Sequence, residues 1–157
     1  MSKGKTKLSL HSLTREPLRP EEHPELLSEL LSGTDRSTAL VGCAMVDAAL
    51  VVALTTRFVA MDGDEFNGLF YSQNGPLFSF AARIKIGRAI GIYGAKLQRM
   101  MNTIRQVRNV FAHSVRPLTF ANDLVAKECA LLPDAKLKPE LEHSLHPLRE
   151  RYIAARW

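Results

Sequence analysis

The sequence is poor in cysteine, with Cys43 and Cys129 alone and 86 positions apart. That count excludes a disulfide scaffold and a four-ligand Cys/His zinc site at familiar spacing, and no metal or other cofactor is expected. Two buried thiols in a reducing cytosol are the expectation. No run alternates apolar and polar residues, which argues against strands, and there is no internal repeat. The N-terminus, MSKGKTKLSL, has basic residues but no apolar run after them, so no signal peptide is expected. There is no nucleophile elbow, and Gly87, Gly91 and Gly94 lack the strand and spacing of a phosphate loop. Between Arg83 and Arg116 there is no acid at all.

What is present is one domain's worth of chain, 157 residues, 46% hydrophobic and 24% charged. The net charge of +5 leaves nucleic acid or an acidic partner open without choosing between them. It also conceals a separation. Residues 21–65 carry nine acids against Arg36 and Arg57, a net of −7. Residues 83–116 carry Arg83, Lys85, Arg88, Lys96, Arg99, Arg105, Arg108 and Arg116, a net of +8. In one reading the two halves pack together and neutralise each other; in the other the basic half faces an anionic ligand.

Residues 1–22, polar and Pro-spaced with five basic residues, read as a mobile arm. A bundle domain is expected over 23–133 and a C-terminal amphipathic helix within 134–157, packed on the bundle or on a dimer partner. Pro24 opens a short helix closed by Gly33, and Thr34 or Asp35 caps the next. From Ala39 to Ala60 the chain is almost wholly apolar. Asp47 near its middle and Arg57 near its end are expensive in lipid, so it reads as the central, fully buried helix of a soluble bundle. Gly63, Gly68 and three acids break it. Ser79 caps a helix to Ile90, and another runs from Ala95 to about His113 with Leu97, Met100, Met101, Ile104, Val107 and Phe111 on one face. A further helix is expected over Thr119–Leu132, starting near Asn122 or Asp123. The tail carries Leu141, Leu145, Leu148, Tyr152 and Ile153 as one stripe despite Pro147. The expected class is all-α, an antiparallel multi-helix bundle.

The candidate site lies on the Ala95–His113 helix. Arg105, Asn109 and His113 are four apart and share a face, with Asn102 one turn earlier. Asp47 on the apolar helix needs a charge partner, and Arg105 or Arg108 is the expected one. His143 and His146 lack the third ligand of a metal site. The arm lysines Lys3, Lys5 and Lys7 read as solubilising, and no helix-turn-helix is evident.

Three segments, GPLFSFAARIKIGRAIGI (75–92), IRQVRNVFAHS (104–114) and PLTFANDLVAKECALL (117–132), resemble the mannitol operon repressor family in order and content. The similarity covers roughly residues 27–133. It implies an all-helical bacterial, cytoplasmic regulator that represses transcription through protein partners rather than base readout. Read from the helix itself, the expected binding residues are Asn102, Arg105, Arg108, Asn109 and His113. A homodimer is also expected, and no membrane association. Arg108, Asn109 and His113 also resemble the Arg–polar–His motif of the HEPN superfamily, which implies a metal-independent endoribonuclease as the alternative. There His113 would move a proton during attack of a ribose 2′-OH on the adjacent phosphate, and Arg108 would stabilise the developing charge. Direct DNA binding through the basic helices is a third, weaker expectation.

Overall fold

The computed structural model describes residues 19–134 and 147–155. The arm lysines, Leu141, Leu145, His143 and His146 therefore lie outside the described residues. Residues 20–22, assigned on sequence to the arm, form a 3-10 turn that runs into the first helix. Among the described residues seven α-helices follow: α1 (His23–Ser32), α2 (Asp35–Thr55), α3 (Gly63–Phe70), α4 (Phe80–Ala89), α5 (Ala95–His113), α6 (Asp123–Cys129) and α7 (Pro147–Ala154). No strand occurs among the described residues, and the fold is an all-α helical bundle.

The helix starts follow capping chemistry. The Thr34 side chain accepts from Ser37 N, Ser79 from Ala82 N and Asn122 from Leu124 N. Each satisfies a backbone donor that the first turn leaves without a partner. Pro147 is the first residue of α7, where its missing N–H is harmless.

Helix α3 corrects the sequence reading, which placed a break there. Asp62 accepts from Asp64 N and Glu65 N, and Glu65 reaches back to Asp62 N at 3.0 Å. This reciprocal capping box turns the acidic loop into a helix N-terminus, where negative charge is favourable. Helix α2 ends at Thr55, earlier than expected, and α6 is shorter than the 119–132 span.

Two contacts fix the direction of the longest helices. Arg36, at the start of α2, donates to Ser114 O just beyond α5 at 2.8 Å. About two and three turns into α2, Cys43 and Asp47 lie beside Arg108 of α5. The two helices therefore run antiparallel. Between α2, α4 and α5 sit Cys43, Leu54, Ile84, Ile104 and Val107. A file of rings, Phe111, Phe120 and Tyr152 with centroids 5.1 and 5.2 Å apart, ties α5 to the loop before α6 and to α7.

Helix α7 docks on the bundle through a buried arginine. Arg149 Nη2 donates to the carbonyls of Leu30 (2.9 Å), Leu31 (3.2 Å) and Gly33 (2.6 Å) and to Thr38 Oγ1 (2.9 Å). It thus caps the C-terminal end of α1, where the free carbonyls favour a cation. Asp35 accepts from Arg149 Nη1 at 3.3 Å and from Phe120 N at 2.9 Å, so one carboxylate joins α2, α7 and the loop before α6.

The reading of α2 as fully buried is also corrected. Ala39, Cys43, Leu50, Val51 and Leu54 are buried, but Leu40 is 37% exposed and Val52 60% exposed. By length and composition α2 is the one helix among the described residues that could cross a membrane. Here it packs as a bundle helix against α1, α4, α5 and α7.

Candidate functional site

Asp47 does find a cation, but not the one expected. Its partner is Arg83 of α4, whose Nη1 lies 2.8 Å from both carboxylate oxygens. Neither Arg105 nor Arg108 makes this pair. Arg83 is only 5% exposed, and its other nitrogens are also engaged. Nε donates to Leu77 O at 2.8 Å, and Nη2 to Phe70 O at 2.8 Å and Phe78 O at 3.3 Å. The guanidinium carbon sits 5.7 Å from the Phe70 ring centre and 5.6 Å from that of Tyr71. Arg83 wins because it is aimed inward from the buried face of α4, where only a fully satisfied fork of donors is tolerable. Burial pushes the Asp47 carboxyl above its ordinary range; Arg83 first and Arg108 second pull it back in part.

Sequence reasoning missed Arg83, yet the signal was present. Phe80, Ile84 and Gly87 mark the inner face of α4, and Arg83 falls on it, three after Phe80 and four before Gly87. Arg149 was missed for the same reason, lying next to Leu148 and three before Tyr152 on the inner face of α7.

The α5 stripe divides. Asn102, Arg105, Arg108 and Asn109 are half-buried, and His113 is exposed at the last helical position. Arg105 and Arg108 lie near the buried Cys43 of α2. Burial pushes the Cys43 thiol up, and Arg108 opposes that shift. Among the described residues, the buried side-chain nitrogens without a hydrogen-bond partner are Arg105 Nε and Arg149 Nε. Arg108 and His113 are not brought together. Five helical residues separate them by about 140° of rotation. One is directed at α2 and the other stands in solvent at the helix end. His113 occupies the end of α5 where a cation is favoured by the helix dipole.

The neutralisation of the basic half by the acidic half is largely absent. Of the eight cations between residues 83 and 116, Arg83 alone makes an ion pair among the described residues. Lys85 and Arg88 of α4, Lys96 and Arg99 of α5, and Arg116 beyond it are exposed. Lys85 and Arg88 on α4 and Lys96 and Arg99 on α5 are therefore solvent-facing cations, while Arg105 and Arg108 turn toward Cys43 of α2. The apolar cleft between α1 and α2, lined by His23, Pro24, Leu27, Leu30 and Met45, contains none of these residues. No group of three or more His, Cys, Asp or Glu side chains that could hold a metal ion occurs among the described residues.

Compared with known protein families, with curated proteins and with solved structures, the chain matches none.

Proposed function

We propose that this chain is a non-enzymatic bacterial regulator of the kind its sequence resembles, the mannitol operon repressor family. It would act in the cytoplasm by holding an acidic surface of a protein partner against its α4–α5 face. The observation that carries this reading is the set of exposed cations, Lys85, Arg88, Lys96 and Arg99, left without internal acids. Charges of this kind steer encounter and select partners, and they contribute in a salt-dependent way. The inward direction of Arg108 and the isolation of His113 weigh against the ribonuclease reading. Proton transfer and charge stabilisation must converge on one phosphate, and a single copy offers no such convergence.

The deciding experiment incubates labelled RNA with the full chain, with and without EDTA, beside His113→Ala. Intact RNA in every lane is expected. EDTA-resistant cleavage that disappears in His113→Ala would overturn the proposal in favour of the HEPN-type nuclease. A parallel DNA titration should show no complex at physiological salt. A complex whose log affinity falls steeply with log salt would instead support direct DNA binding. Cross-linking in the bacterial cell should capture a protein partner that is lost from the Arg88→Glu/Arg99→Glu variant.

A further inference from the structure

The outer side of α2 is an apolar helix face with no covering element among the described residues. Leu40, Ala44, Ala48 and Val52 are all exposed and lie four residues apart, so they form one ridge along the helix. Val41 and Met45 flank the ridge half-buried, and Ala49 flanks it exposed. From Ser37 to Thr56 the only charged residue is Asp47, and Asp47 is turned to Arg83 in the bundle. Beside the ridge, at Met45, opens an apolar cleft of about 240 Å³ lined also by His23, Pro24, Leu27 and Leu30. A contiguous apolar surface of this kind is uncommon on a chain that works alone.

We propose that this face is the self-association surface of the protein, and that two copies meet through α2 packed antiparallel about a two-fold axis at residue 46. The ridge is complementary to its own reverse. With the axis at 46, Leu40 of one copy falls opposite Val52 of the other, and Ala44 opposite Ala48. The large side chains then flank a small-residue centre, which lets the helices approach at the short end of the usual 8–10 Å range. The same register places Arg36, whose guanidinium is already held by Ser114 O and Arg116 O, at the end of the interface near the partner's Thr56. A parallel arrangement would instead set the two Arg36 side chains side by side.

Size supports the assignment. The ridge from Arg36 to Thr56 spans roughly 30 Å at 1.5 Å per residue. Two helix diameters, α2 and the α1 flank that carries Pro24 and Leu27, make the face about 20 Å wide. That buries about 600 Å² per copy, or about 1,200 Å² in total, at the lower edge of specific interfaces. A reversible dimer follows. It uses the side of α2 opposite α5, so it does not rest on the regulatory reading of the basic face.

The test is light scattering on the full chain at about 100 μM, a concentration that populates a micromolar complex. The expected mass is twice 17.5 kDa. Ala48→Glu, on an exposed helical position, should return the mass to 17.5 kDa with unchanged helical circular dichroism. Register is read by cysteine pairing. A mixture of Ala44→Cys and Ala48→Cys should form a mixed disulfide under mild oxidation far faster than either variant alone. This readout stands even if the glutamate variant folds poorly. A monomeric wild type, or a dimer that survives Ala48→Glu, overturns the proposal. So does rapid cross-linking of each cysteine variant with itself, which would mean parallel packing. A monomer that binds phosphatidylcholine vesicles and is released by Ala48→Glu also overturns it, assigning the face to lipid.

Discussion

The Arg83–Asp47 pair should be energetically lopsided, and its two halves can be separated by mutation. Arg83→Met removes the pair and also strands the carbonyls of Phe70 and Leu77, each now 2.8 Å from a guanidinium nitrogen. A buried acceptor left without a donor costs about 1–3 kcal/mol. Methionine returns some apolar contact with Phe70 and Tyr71, and Asp47, 26% exposed, retains some access to water. The net loss is about 3–5 kcal/mol, in the range for breaking a buried pair from one side. At roughly 2–4 °C per kcal/mol, the melting temperature should fall by roughly 6–20 °C. Asp47→Asn is different. The carboxylate is already disfavoured by burial, and Arg83 loses its counter-charge but keeps its carbonyl acceptors and one amide oxygen, so the loss should be about 1–3 kcal/mol, the smaller of the two. The sign with pH follows. Asp47 has a folded pKa above its ordinary value of 3.8, so the native chain takes up this proton more readily than the unfolded one. The stability it contributes is full below 3.8 and is lost as pH rises through the raised value. Wild type should therefore gain on Asp47→Asn as pH falls from about 7 to about 4. Urea denaturation followed by helical circular dichroism measures both variants. Equal losses for the two at neutral pH, or the opposite pH trend, would refute the reasoning.

Arg149→Met should release α7 and uncap α1, costing about 3 kcal/mol, with hydrogen exchange speeding up at Leu30–Gly33 before the rest of the chain. Gly87→Ala would place a Cβ 2.8 Å from the Tyr93 ring and hydroxyl, displacing a side chain whose hydroxyl donates to Ile84 O at 2.6 Å. A loss of about 1–3 kcal/mol is expected in thermal melts, the usual range for overpacking. The Cys129 thiol is pushed up to about 12 by burial and the nearby Glu128, and Cys43 is raised as well. Native protein should therefore resist alkylation at mildly alkaline pH, and both cysteines should label fully on unfolding, as read by mass spectrometry.

The long helices were legible because periodicity and capping act locally. The caps at Thr34, Ser79 and Asn122 and the α5 apolar face from Met100 to Phe111 lie where their sequence signals place them, whereas Leu97, in the first turn, is 42% exposed. Helix α3 was not foreseen because its glycines and acids resemble a loop. The spacing of Asp62 and Glu65 was the clue, since that pair turns acidic residues from loop formers into a helix start. The extent of burial was harder still. Composition marks α2 as apolar all round, but whether both faces are covered depends on how many helices surround it, which no local pattern records. The candidate site was legible as a set of residues on α5, and less so in its contacts.

Charge arithmetic misleads at this point for a physical reason. A −7 half beside a +8 half invites the idea of mutual neutralisation. Yet exposed pairs gain little from contact, because water already screens them and ordering two long side chains opposes the gain. Only where a carboxylate is desolvated does the bundle demand a specific partner. That demand is met twice across the described helices, by Arg83 for Asp47 and by Arg149 for Asp35. Both arginines come from inner helix faces, because an arginine reaching in from the rim could not satisfy its donors and the carboxylate together. Lys85, Arg88, Lys96, Arg99 and Arg116 stay in water for the same reason, with no internal energy to be gained by folding inward. The cations a partner could use are thus those the bundle has no use for, so a functional surface is better sought by removing the buried arginines from the count than by summing the charge.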